Sequence, residues 1–178
     1  MNFKSISYFL GLFCFPISFL SFINILYSSY FDYFLSLESY FTTLLASLIF
    51  GVIFLYYGKN SQKKIDFIEQ IFLIIVVYLL TALLITIPFY FSNNQVTFLN
   101  SFFESISGLT GTGFSTIKNI KYVDPTLILW RSSSQWIGGL YFLFFLILIF
   151  SNKQFNFKMN DLTYSEDGSI NSEKNIKD

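Results

Sequence analysis

The stretch that decides the fold reads Glu104-Ser105-Ile106-Ser107-Gly108-Leu109-Thr110-Gly111-Thr112-Gly113-Phe114-Ser115. Just before and into it, Phe98, Leu99, Phe102, Phe103 and Ile106 have the apolar spacing of a short helix over Val96 to Ile106. Ser107-Gly108 then breaks that helix, and an extended, glycine-containing strand follows. The whole interval from Ser92 to Trp130 is too long for a hairpin between two helices, and its middle is too apolar for a solvated loop. It predicts a segment that dips into a membrane from one side.

Working outward, charged residues mark off uncharged runs long enough to cross about 30 Å of hydrocarbon, which takes about 20 residues of helix. Four such spans can be placed: about Tyr8 to Tyr27, Ser39 to Tyr57, Gln70 to Phe91 with Pro88 in the last turns, and one lying between Arg131 and Lys153. The polar residues after Ser151 form a tail. The fold expected is therefore all-α and integral to the membrane: four transmembrane helices plus one re-entrant helix and loop. Lys4, Lys59, Lys63, Lys64, Lys153 and Lys158 fall on one side, against Lys118, Lys121 and Arg131 on the other, which puts the amino terminus in the cytoplasm. An uncleaved first helix is expected, because the apolar run is as long as a span and has no convincing cleavage site. Phe13 before Cys14 argues against lipidation, leaving Cys14 as a core residue.

Composition agrees: 53% of the 178 residues are hydrophobic and 12% charged, against roughly 25% charged in soluble domains. The 25 Phe and 12 Tyr exceed what one soluble core of this size can hide. Zero net charge without a basic cluster excludes a nucleic-acid binder. The lack of His removes the common zinc and histidine-base constellations, and the single cysteine cannot form an internal disulfide.

Non-helical backbone at membrane depth is tolerated only where protein buries it or water reaches it, because its N–H and C=O groups otherwise lack partners. Glycine in Thr110-Gly111-Thr112-Gly113 lets carbonyl oxygens turn to one side and replace the hydration shell of a cation, as potassium filters do. The preceding helix would aim its negative end, about half a unit of charge, at the same place. Glu104 could add a full charge there, bond a neighbouring amide and hold the loop, or do both. Taken alone, Gly111-Thr112-Gly113 is a weak signal that reads first as an ordinary flexible turn, and its context is what favours the pore. Gly138-Gly139 reads as a close-packing site rather than a hinge, and Trp130 and Trp136 as members of an interfacial belt.

Three stretches together resemble the Trk, Ktr and HKT superfamily of potassium transporters, and within it the bacterial TrkH-type subunits. Ser101 through Ser115 is similar to the family's first filter loop, Trp130 through Leu140 to the opening of the helix after it, and Ile87-Pro88-Phe89 to the outer end of the helix before it. The resemblance implies four helix, pore-loop, helix units around one ion path, preceded by two extra helices. It divides the chain into residues 1–66 (the extra pair and a cytoplasmic loop), 67–152 (the first unit) and 153–178 (a polar, disordered tail). It implies filter carbonyls from Thr110, Gly111, Thr112 and Gly113, support of the loop by Glu104, Phe114 and Ser115, and Arg131 at the outer mouth. Arg131 there would tune the vestibule field, bind the loop or anchor the interface.

Two residues depart from the family pattern. Gly111 stands where Thr is usual, and Tyr141 where a small residue is usual. The first loosens discrimination among cations; the second alters a close helix contact. The function implied is transport of K+ across the inner (plasma) membrane, with no cofactor and no covalent chemistry. The other filter repeats would come from further chain or other copies, with lipid around them, a homodimer as the assembly and a cytoplasmic nucleotide-binding TrkA-type regulator. With one filter segment, the chain reads as the first third of such a subunit, truncated or split. The alternative is a non-conducting fragment that only associates with other transport subunits. A membrane enzyme ranks below both, for want of a partnered nucleophile.

Overall fold

The computed structural model describes residues 2–33, 37–61, 65–91, 97–117 and 123–150. Lys63, Lys64, Lys118, Lys121, Lys153, Lys158, Val96 and the tail lie outside the described residues, so the charge count and tail above are untouched by it. The described chain is all-helical: α1 (Phe3–Tyr30), α2 (Leu37–Gly58), α3 (Phe67–Phe91), α4 (Phe98–Leu109) and α5 (Pro125–Phe150). Four of these, α1, α2, α3 and α5, are long and apolar enough to cross a membrane. The fifth, α4, has 12 residues and a length of about 18 Å, too short to cross.

Local sequence explains the ends. Asn2 caps α1 by accepting from the Ser5 amide, and Thr97 caps α4 by accepting from the Asn100 amide. At α5, Asp124 Oδ1 accepts from the Thr126 amide and hydroxyl at 2.9 Å, with Pro125 as the first helical residue. Two expectations are corrected here. The last helix begins at Pro125, well before Arg131, so Trp130 and Arg131 sit inside it. The short helix is not broken at Ser107-Gly108 but continues to Leu109, because Gly108 is helical and packs directly under Ser134.

Antiparallel α1 and α2 pack closely where glycine allows it. A Cβ on Gly11 would stand 2.8 Å from the Gly51 carbonyl, and one on Gly58 2.5 Å from the Tyr8 amide. The helices α3, α4 and α5 form a second group that rests on this pair. Tyr40 on α2 donates to Thr126 at the start of α5 at 3.1 Å. Tyr141 on α5 donates to the Phe13 carbonyl on α1 and meets Phe13 edge to face. The bulky residue at 141 is thus accommodated by a dock onto α1.

Candidate functional site

Helix α4 is amphipathic with its polar face turned inward. Ser101, Glu104, Ser105 and Ser107 are 0–3% exposed, whereas Leu99 is 76% and Phe103 45% exposed. Three contacts set its position. Thr86 on α3 donates to Ser105 at 3.0 Å. A Cβ on Gly108 would lie 2.3 Å from Ser134 Oγ, and one on Gly138 only 1.7 Å from the Leu109 carbonyl oxygen. Gly138 lies about half-way along α5, roughly 20 Å from its start, so the carboxyl end of α4 reaches the middle of the helix group. Packing is accordingly the role of Gly138, while Gly139 faces open space.

The backbone after α4 folds back along the helix rather than running on as a plain strand. Gly111 and Gly113 have φ of +72° and +76°, and Thr112 between them has negative φ. Such alternation rotates successive peptide planes so that neighbouring carbonyls can share a side, and at positive φ only glycine is unstrained. The Gly111 amide bonds the Gly108 carbonyl at 3.0 Å and the Gly113 amide the Ser107 carbonyl at 3.3 Å. Thr112 Oγ1 donates towards the Ser107 carbonyl at 3.2 Å and Ser107 Oγ to the Phe114 carbonyl at 2.6 Å. Among the described residues nothing donates to the carbonyls of Thr110, Gly111 or Thr112.

Glu104 and Arg131 form an ion pair beside the far end of the loop. Glu104, 1% exposed, accepts at one carboxylate oxygen from Ser115 Oγ at 2.8 Å, Thr116 Oγ1 at 2.9 Å and the Thr116 amide at 2.5 Å. Its other oxygen lies 3.3 Å from Arg131 Nε, an ion-pair distance without hydrogen-bond alignment. Arg131 Nη2 donates in turn to the carbonyls of Gly113 at 2.8 Å and Phe114 at 3.0 Å. The bonds of Glu104 join α4 to Ser115 and Thr116. The Phe114 ring is 72% exposed, and its carbonyl accepts from Ser107 Oγ and Arg131 Nη2.

Trp130 is corrected from its belt reading: it is 1% exposed and its Nε1 donates to the Ile85 carbonyl at 3.1 Å, tying α5 to α3 near Pro88. Trp136, 68% exposed, keeps a surface position. Thr116 and Ser107 were not singled out individually as loop-holding donors. Hydroxyl residues beside a buried acid were the available signal.

These features define a class: a multi-span helical membrane protein with a short helix inserted among its spans and a glycine loop at that helix's carboxyl end. Within that class the chain is a distant homologue of Trk-type potassium uptake proteins. It is 28% identical over 102 residues to an uncharacterized cation transporter of Methanocaldococcus jannaschii, which covers 54% of this chain and 22% of that one. It is 26% identical over 99 residues to the Trk system potassium uptake protein TrkH of Salmonella typhimurium, covering 55% and 20%. It is 34% identical over 55 residues to TrkI of Halomonas elongata, covering 31% and 11%. The chain thus spans about a fifth of the length of the first two relatives. These relatives are transporters, not enzymes. No family model matches the chain, and no solved structure matches it.

Proposed function

We propose that the chain supplies one re-entrant loop of a potassium path: α4 enters the bilayer from outside and the backbone of 110–112 faces the ion. The observation that carries this reading is the inverted polarity of α4. A helix that hides Ser101, Glu104 and Ser105 and exposes Leu99 and Phe103 is unfavourable in water, by about 25 cal/mol for each Å² of apolar surface left wet. In hydrocarbon or against apolar protein the same face carries no such cost.

The loop then has a compelling physical need. A backbone carbonyl left without a partner in hydrocarbon costs several kcal/mol, and Thr110, Gly111 and Thr112 present three in a row. A water-filled path resolves this, and a monovalent cation that has shed water is their natural partner. The Arg131 charge is balanced by Glu104, so the field at the loop comes from carbonyl dipoles and the carboxyl end of α4. K+ would move down its electrochemical gradient with no bond made or broken. A ring of ligands needs more loops than one, which other copies or further units would provide. Lys4 and Lys59 lie at the end of the bundle away from the loop, which suits a cytoplasmic amino terminus.

Potassium uptake in cells stripped of their other uptake systems tests the reading. Uptake restored by this chain, and lost in Glu104→Gln, supports it. A chain that reaches the membrane and restores nothing supports the association-only alternative.

A further inference from the structure

Gly111 and Gly113 share a left-handed backbone, yet their carbonyls have opposite surroundings. The Gly111 oxygen has no donor among the described residues, whereas the Gly113 oxygen receives Arg131 Nη2 at 2.8 Å. We propose that Arg131 withholds the Gly113 carbonyl from the ion, so that this loop offers a cation only the oxygens of Thr110, Gly111 and Thr112. The inference rests on the potassium-path reading above and makes Arg131 a positioning residue that sets where the ligand series stops.

Three features keep the guanidinium in place. The same nitrogen also donates to the Phe114 carbonyl at 3.0 Å, and that carbonyl takes a further bond from Ser107 Oγ. Arg131 Nε lies 3.3 Å from Glu104, whose other oxygen is engaged by Ser115 and Thr116. Swinging Arg131 away would leave that carboxylate, 1% exposed, without its countercharge. A guanidinium is also permanently charged and cannot deprotonate to make room. With Arg131 Nη2 already at 2.8 Å, a cation on the Gly113 oxygen would have to share that oxygen with a cationic donor.

Carbonyl NMR reads each oxygen separately. Gly111-Thr112 and Gly113-Phe114 are the only Gly-Thr and Gly-Phe pairs in the chain. Carbonyl-13C glycine combined with 15N threonine or phenylalanine therefore isolates each signal in the full chain in lipid nanodiscs. On replacing N-methyl-D-glucamine with K+, the Gly111 carbonyl is expected to shift and the Gly113 carbonyl to stay. In Arg131→Gln the Gly113 signal should become K+-responsive while the Gly111 response persists, the second signal reporting that the loop is intact. A Gly113 shift equal to that of Gly111 in the native protein overturns the proposal and leaves the potassium path standing. No shift at either carbonyl overturns both.

Discussion

The α1–α2 pair and the α3–α4–α5 group solve the same problem, polar groups among apolar helices, in opposite ways. In the pair, hydroxyls mostly bond back to their own helix, Ser18 to Phe15, Thr43 to Ser39 and Ser47 to Leu44, with the Asn24 amide on Leu20, while Ser7 crosses to the Phe54 carbonyl of α2 at 3.3 Å. Contact between the two helices is left mainly to glycine and apolar fit. In the group, polar side chains reach across elements, from Thr86 to Ser105, Trp130 to Ile85, and Glu104 to Thr116. A regular helix satisfies its own backbone, so its side chains have only packing to do. The loop does not, so side chains from its neighbours must satisfy it.

That contrast is exposed to direct attack. The largest effect is expected from Gly138→Val, which drives a side chain into the Leu109 carbonyl that a Cβ already reaches at 1.7 Å. The group should lose about 3 kcal/mol or more, measured by unfolding in mixed detergent micelles, while α1–α2 keeps its helicity. Next comes Glu104→Gln, which keeps the size and removes the charge: about 2–4 kcal/mol, with faster proteolysis between α4 and α5. A change under about 0.5 kcal/mol would show the loop to be held by something other than Glu104.

Smaller effects sharpen the other side. Gly11→Ala meets the Gly51 carbonyl and should cost about 1–2 kcal/mol, whereas Gly139→Ala, with open space around it, should stay within about 0.5 kcal/mol. Equal costs would remove close approach as the glue of the pair. Smallest is Thr43→Val, whose hydroxyl bonds only its own helix: about 0.5 kcal/mol or less in the same micelle assay.

The four spans were legible because charge is so costly in lipid that its spacing alone marks them. Glu104 and the glycine loop were legible because an acid and paired glycines in an apolar run have few other uses. Less was readable where register decides the outcome. Trp130 and Trp136 look alike in sequence, yet the turn of α5 sends one to Ile85 and the other outward. The start of α5 was readable in Asp124-Pro125-Thr126, an N-cap followed by proline, but an apolar run bounded by Arg131 masked it. That Arg131 would meet Gly113 depends on how far α4 descends along α5, which Gly138 and Leu109 set between them.

The central claim is most directly tested by cysteine placed at Thr110, in a chain whose Cys14 is buried. In liposomes, a small membrane-impermeant cationic thiol reagent should label that cysteine from one face only, and K+ should slow the labelling relative to N-methyl-D-glucamine. Labelling at the rate of a free surface loop with either ion, or no labelling from either face, would contradict it.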